Sequence, residues 1–450
     1  MSVTATTTEI FALPSKRRIS ADSNKLSLED RAAHDWYRFV LSYPPHLVRD
    51  YLQRLTKPPQ QRVLDPFCGT GTTVVECKKL GIESVGIEAH PVAHFASSTK
   101  VNWKVDPDEL EGSATMVAQH VLNQLEDQGI VDDPAPALIA EMPDPSSLRT
   151  LPPDIEKLLL TNSISPLPLH KSLVLRDAIR EIGPESCRAH HLLALAKALV
   201  GSISNLEFGP EVGVGPPKND TPVVSVWLRL VRNMADDLRL LRSFAGAPAV
   251  VHHADSRDIP KLIAPESIDT VITSPPYPNE KDYTRTTRLE TVLLEFITSK
   301  KELQALKRTL VRSNTRGVYK EDTDHHIVND HVEIQRIANA IEARRIELGK
   351  TSGFERLYAK VTKLYFGGMS RHFADLRRVL KPGAELAYVV GDQASYLRVM
   401  IRTGQLLASI ATELGYEVIG LDLFRTRIAT ATREQLREEV LVLRWPGGHR

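Results

Sequence analysis

Cysteine is scarce in this chain of 450 residues, occurring only as Cys68, Cys77 and Cys187. No two of these form a Cys-x-x-Cys pair, so no disulfide framework is expected and a reducing, cytoplasmic setting is. Neither sign of charge is in excess: 57 Lys and Arg stand against 56 Asp and Glu, a formal +1. A polyanionic partner would therefore have to be met by a local patch and not by the surface as a whole. Long apolar runs are missing too. No window approaches the roughly 18 residues of a spanning helix, and the N-terminus has no apolar signal core, so membrane insertion and secretion are not expected. The remaining composition, 42% apolar and 25% charged, is that of an ordinary globular chain. Its length allows a large core, with more than one domain or with big insertions.

The organising stretch is Val63-Leu-Asp-Pro-Phe-Cys-Gly-Thr-Gly-Thr-Thr73. A short apolar run ends in Asp65, a turn carries Gly69 and Gly71, and a helical pattern follows through Val74, Val75, Cys77 and Leu80. A buried parallel strand, a tight turn and a helix N-terminus read this way. Two glycines let the backbone approach a small molecule or take positive φ, although a close helix–strand contact alone would need them as well. The turn has no lysine, so it is not a phosphate-cradling nucleotide loop. The acidic strand end favours a cationic partner. A second short strand, Val85 to Ile87, ends in Glu88, 23 positions after Asp65. A carboxylate at that place in a doubly wound sheet can accept ribose hydroxyls, or it can simply be a surface acid.

Four stretches are expected: a mobile arm over 1–28 with the basic knot Lys16-Arg17-Arg18, the first part of an α/β domain over 29–105, a mainly helical insertion over 106–248, and the rest of the α/β domain over 249–450. The aromatics of His34 to Tyr43 either line a pocket or pack the first strand, and a helix follows Pro44-Pro45 with Leu47, Val48, Tyr51 and Leu52 as its buried stripe. In the insertion, Ala189 to Val200 and Val224 to Leu241 read as helices around a Gly/Pro loop. It serves substrate recognition or acts as a lid; its sequence does not decide. His190 and His191 are adjacent on a helix near Cys187 and cannot face one ion together, so no metal site is expected.

The βα pattern returns with Val250 to Asp255, and the strand Ile268 to Thr273 then runs into Ser274-Pro-Pro-Tyr277. Two prolines cannot continue a ladder, so they mark the strand end and leave carbonyls free. A hydroxyl, a free carbonyl and a flat ring make a pocket for a planar amine, or a strand-terminating turn with a packed tyrosine.

Together, Asp65-Pro-Phe-Cys-Gly-Thr-Gly71 and Thr273-Ser-Pro-Pro-Tyr277 resemble the S-adenosylmethionine-dependent DNA amino-methyltransferases, most of all the cytosine-N4 branch. The resemblance covers roughly residues 35–103 and 249–445 and leaves the middle unmatched. It implies a Rossmann-like α/β sheet with a largely helical insertion. It also implies that Asp65, Phe67, Gly69, Gly71 and Thr72 hold the methionine end of the cofactor, Glu88 the ribose, and Asp255 with Ser256 the adenine. Ser274, Pro275, Pro276 and Tyr277 fall on the family's catalytic loop. Adenine enzymes usually have Asp where Ser274 stands, while guanine-N2 RNA and tRNA methyltransferases share a similar glycine turn. A catalytically idle copy serving as the DNA-binding subunit of a defence complex is a further alternative; the intact motif set speaks against it. C5 methylation needs a Pro-Cys nucleophile, which is absent. Implied partners are double-stranded DNA with its target base flipped and a restriction or defence-system protein.

Beyond the loop, Arg285 and Arg288 either contact phosphates or salt-bridge on a helix face, and the basic stretch around Arg308, Arg312 and Arg316 is either a phosphate contact or solvated surface. Glu333 to Lys350 reads as an exposed charged helix. Phe373 to Leu380 reads as a helix ending at Lys381-Pro-Gly383, followed by a strand over Leu386 to Val390. A terminal antiparallel pair, Tyr416 to Leu421 and Val440 to Leu443, closes the domain.

Overall fold

The computed structural model describes residues 26–38, 42–55, 61–132, 144–208, 211–244, 246–279, 281–428 and 435–448. The expected arm, apart from its last residues, lies outside these, as do Gly209 and Pro210 of the middle loop and the turn after Ile428.

The strands in chain order are β1 (Arg62–Asp65), β2 (Glu83–Glu88), β3 (Leu206–Phe208), β4 (Val212–Val214), β5 (Ala249–His253), β6 (Ile268–Thr273), β7 (Leu380–Gly391), β8 (Glu417–Ile428) and β9 (Gln435–Arg444). Seven of them make one sheet in the order β5-β2-β1-β6-β7-β9-β8, while β3 and β4 pair separately. Pairing is parallel from β5 to β7 and antiparallel for β9 and β8. This is a Rossmann-like α/β sheet with a terminal hairpin at one edge.

Side chains alternate across the sheet as the pleat requires. Leu64, Val271, Leu386, Tyr388, Leu441 and Leu443 join the helices Tyr358–Leu376 and Thr403–Glu413 on one face. Their neighbours Val63, Ile272, Ala387, Val389, Val440 and Val442 pack on the opposite face against Leu47, Val48, Tyr51, Leu52 and Leu55 of the helix Pro45–Leu55. A strand covered on both faces reads as continuously apolar, which is why Val63-Leu64 could be recognised without alternation.

The middle segment supplies the helices Pro107–Glu126, Pro166–Glu181, Glu185–Ala198 and Val224–Leu241. They share one buried cluster with Val74 and Val75 of the helix Thr72–Lys79 and with Val92 and Ala96 of the helix Pro91–Lys100. Trp227 in the centre is fully buried and satisfies its indole N–H on the His191 carbonyl at 2.9 Å.

Two sequence expectations are corrected here. The helix around Phe373 stops at Leu376, and Leu380 already belongs to β7. The Val379 carbonyl accepts from both Ser267 N (2.9 Å) and Ile268 N (3.0 Å), drawing the chain into strand pairing. Gly383, at φ +84, sits in the irregular stretch where the pairing skips from Ile268–Leu380 to Thr270–Glu385. The charged helix Val332–Glu347 is amphipathic: Ile334, Ile337, Ala338 and Ile341 are buried. Its charges hid an i, i+3, i+4, i+7 apolar stripe.

Candidate active site

After β1 the chain builds outward through β2 to β5, then returns to the other side of β1 with β6. Connections leave the carboxyl ends of β1 and β6 in opposite directions, which opens a crevice between them. A cavity of about 540 Å³ lies there, within the size range of small-molecule sites. The glycine turn and the Ser-Pro-Pro-Tyr loop, 200 residues apart in sequence, both line it.

One side is formed by Phe67, Gly69, Thr70, Thr72, Glu88, His90 and Ser256. Gly69 has φ +53, and a Cβ added there would meet no atom within 4 Å, so the missing side chain leaves space that a ligand can fill. Glu88 ties this wall together by accepting from Gly69 N at 2.8 Å and from His90 N at 2.7 Å. Burial holds its carboxyl up at about 7, against the pull of those two bonds. From behind, the buried ammonium of Lys100 donates to the Thr70 carbonyl at 2.9 Å.

Asp65 and Gly71, both expected at the ligand, stand behind the wall instead. Asp65 is fully buried and accepts from Thr273 Oγ1 (2.6 Å), Tyr43 OH (2.9 Å) and Phe67 N (3.2 Å). Burial raises its carboxyl to about 6. Its work is to lock β1, β6 and the segment before the helix Pro45–Leu55 to one another, and Tyr43 reaches the cavity in its place. Gly71, at φ +90, lets the turn touch the neighbouring helix: a Cβ there would stand 3.0 Å from Ser97 Cβ. Thus the two glycines serve different purposes, one open space and the other close packing. Of the aromatics near the N-terminus, Tyr43 lines the cavity, whereas Trp36 and Tyr37 are buried in the core.

Asp255 is likewise committed elsewhere. Its carboxylate is bound by Arg257 at 2.7 Å, and the same guanidinium reaches Asp324 at 2.8 Å. Ser256 alone of that pair lines the cavity, its carbonyl pinned by His372 Nδ1 at 2.9 Å.

The other side carries Ser274, Pro275, Pro276, Tyr277, Asn279 and Val389. The Ser274 hydroxyl donates its proton to the Val389 carbonyl at 3.0 Å, so its lone pairs remain as acceptors. Gly391 backs the Tyr277 ring, 3.0 Å from where its own Cβ would be. Lys281, Lys307, Arg425, Arg427 and Glu438 also line the cavity; Lys307 belongs to the basic stretch but is paired with Asp282 at 2.9 Å, and sequence reading did not single out Arg425, Arg427 or Glu438. Arg425 and Arg427 alternate along β8 with Thr426 between them, on a strand that runs to Ile428 where the sequence reading ended it at Leu421.

The arginines proposed from sequence divide differently. Arg312 lines the cavity but is buried, held by both oxygens of Asp322 at 2.8 and 2.9 Å, and is not available to a phosphate. Arg288 donates to the carbonyls of Thr284 (2.8 Å) and Leu158 (3.1 Å), fastening the loop region to the middle segment. Arg285 is half-buried away from the cavity wall, and Arg316 is exposed beside the Phe354 ring at 5.8 Å. Arg308, more than half exposed, lies over the Tyr319 ring at 4.8 Å. Ser313, Asn314 and Gly317, from the same stretch as Arg312 and Arg316, do reach the cavity.

Residues 12–97, which carry the glycine turn and both strand-end acids, match the N6/N4 methyltransferase family model, described as DNA methylase. The chain is 25% identical over 461 residues to the Type II methyltransferase M.BsoBI of Geobacillus stearothermophilus, covering 95% of this chain and 86% of that protein. It is 23% identical over 460 residues to the Type II methyltransferase M.AvaI of Nostoc sp. and of Anabaena variabilis, covering 96% of this chain and 89% of theirs. The chain is thus similar to the N6/N4 DNA methylases over the glycine turn and to Type II methyltransferases over most of its length, and it carries a Rossmann-like sheet with a cavity at the switch point.

Proposed function

We propose that this protein methylates the exocyclic N4 amine of cytosine in double-stranded DNA, with the target base flipped into the cavity. The observation that carries the exocyclic-amine reading is Ser274, whose proton is spent on Val389, leaving an acceptor beside the Tyr277 ring, while the choice of cytosine rests on the resemblance, in which adenine enzymes usually have Asp at that place. An aryl amine is a poor nucleophile because its lone pair is delocalised into the ring. Acceptors at Ser274 Oγ and at the Pro275 carbonyl hold its two hydrogens and favour a pyramidal nitrogen. The gain comes from alignment and fixed dipoles, with no covalent adduct to the protein. Tyr277 stacks on the flipped base, which cannot reach such a pocket while paired in the duplex.

The residues present fit S-adenosylmethionine: open space at Gly69, apolar surface at Phe67 and Ile87, and the Glu88 carboxylate with lone pairs left for ribose hydroxyls. When bound, the cofactor supplies a sulfonium methyl, so a C–S bond breaks as the N–C bond forms and the amine releases a proton to solvent. A carboxylate accepts hydroxyl hydrogens best when ionised. With Glu88 near 7, cofactor affinity should rise as pH climbs from 6 to 8 and then level off. Calorimetry across that range tests this, and Glu88→Gln should flatten the profile. A slope unchanged by that substitution would remove Glu88 from the ribose.

The similarity to Type II methyltransferases supports a DNA-modifying enzyme, a cognate restriction protein is the partner that the motif resemblance implies, and three buried free cysteines fit a cytoplasmic setting. The deciding experiment is incubation with labelled cofactor and unmethylated duplex DNA, followed by nucleoside mass analysis with an RNA control. N4-methylcytosine is expected. N6-methyladenine, a methylated guanosine in the RNA sample, or no product would each replace this reading with the corresponding alternative.

A further inference from the structure

The hairpin of β8 and β9 places a charged pair at the base-handling end of the cavity. Arg425 and Glu438 are cross-strand partners, and Arg425 Nε donates to Glu438 Oε2 at 2.5 Å. Both line the cavity. Glu438 is close to the aromatic platform through Gly391, whose added Cβ would meet Tyr277 Cε2 at 3.0 Å and Glu438 Cγ at 3.4 Å, and Arg425 is tied to that end by its bond to Glu438. Glu438 is 9% exposed and the Arg425 side chain 26%. The terminal amino groups of Arg425 make no other hydrogen bond among the described residues. Arg427 stands farther from Glu438, at 3.6 Å, and is 44% exposed.

We propose that Arg425, oriented by Glu438, reads the Watson–Crick edge of the flipped base and selects cytosine. The inference rests on the reading that a base amine sits at Ser274. With Nε spent on the carboxylate, the guanidinium keeps a pair of parallel N–H donors on its free edge. A cytosine whose N4 amine is held at Ser274 offers two adjacent acceptors, N3 and O2, on the same edge. Adenine offers N1 beside a C–H, and guanine offers an acceptor beside an N–H donor. Cytosine alone of these satisfies both donors; each other base leaves one donor unpaired in a half-buried site. Arg425 is then the residue that distinguishes cytosine from adenine where Ser274, an acceptor for any amine, does not.

The test uses the full chain with Arg425→Ala, Arg425→Lys and Glu438→Gln, under single-turnover conditions on unmethylated duplex DNA, with product nucleosides, cofactor affinity and melting temperature recorded. Loss of a bidentate base contact should slow N4-cytosine methylation roughly ten- to hundredfold in Arg425→Ala. Arg425→Lys should fall nearly as far, because one ammonium cannot span both acceptors, and Glu438→Gln should be intermediate. Cofactor affinity should stay within about twofold, and the ratio of N6-methyladenine to N4-methylcytosine should rise. A wild-type protein that makes no N4-methylcytosine defeats the cytosine reading itself. If wild type makes it and Arg425→Lys matches both its rate and its product ratio, the cytosine reading stands and the role of Arg425 is overturned. Should Arg425→Ala fail to fold, the lysine variant decides.

Discussion

Replacing Ser274 with alanine is expected to slow single-turnover methylation roughly 30- to 1000-fold, the equivalent of about 2–4 kcal/mol for one missing transition-state acceptor. The loss should be partial, because the Pro275 carbonyl still holds one amine hydrogen. Cofactor affinity should not change, since the turn at Gly69 and the acid at Glu88 lie on the other side of the cavity. The substitution also deprives the Val389 carbonyl of its side-chain donor, 3.0 Å away, which should lower stability by about 1 kcal/mol. Rate and stability can therefore be separated by measuring methylation, calorimetric cofactor binding and thermal unfolding on the same preparation. Ser274→Asp supplies the acceptor usual in adenine enzymes, yet no clean switch is expected, because other pocket groups also select the base. If Ser274→Ala methylates at the wild-type rate, the loop is not the base-handling site.

Arg257→Ala should be the most destabilising single change near the cavity, costing about 3–5 kcal/mol. Arg257 is 7% exposed and joins Asp255, after β5, to Asp324 of the short helix Asp324–Val328. Removing it leaves two largely buried carboxylates with only the half-exposed Arg371, 3.9 Å from Asp324, as a nearby cation. Repositioning is obstructed, because the Asp324 carbonyl lies where a Cβ on Gly367 would be, only 1.8 Å away. The segment is thus pressed against the helix Tyr358–Leu376 and cannot retreat to relieve the repulsion. Because Asp255 and Ser256 share one turn, cofactor affinity should weaken along with stability. Denaturant unfolding gives the measurement, with exposed Arg316→Ala as a control expected to stay within about 0.5 kcal/mol. A loss below about 1 kcal/mol for Arg257→Ala would mean that the network is not a fastening.

Some elements were legible in the chain because their signals are local. Val63-Leu64 between breakers, the positive-φ glycines, the double proline after Thr273 and the apolar stripe of Val224–Leu241 each depend on neighbours within a few residues. The helix Tyr358–Leu376 was mis-ended and Val332–Glu347 misjudged because strand pairing at Val379 and burial of one helix face are tertiary events. Likewise, Gly69 and Gly71 look alike in sequence, and only their surroundings give one a cavity and the other a helix to touch.

By itself the sequence determined the class of sheet, the turn that lines its switch point and the break after β6 that sets a hydroxyl, two prolines and a ring at the cavity, since these follow from residue type and short spacing. Tertiary structure alone decided which charged groups face the cavity. Asp65, Asp255 and Arg312 carry the expected chemistry but are consumed by Thr273 and Tyr43, by Arg257 and by Asp322. Arg425 and Glu438 arrive from the far edge of the sheet, more than 140 residues after Ser274. A charge is available to a ligand only when no nearer partner takes it, and partners distant in sequence come together only when the chain is folded.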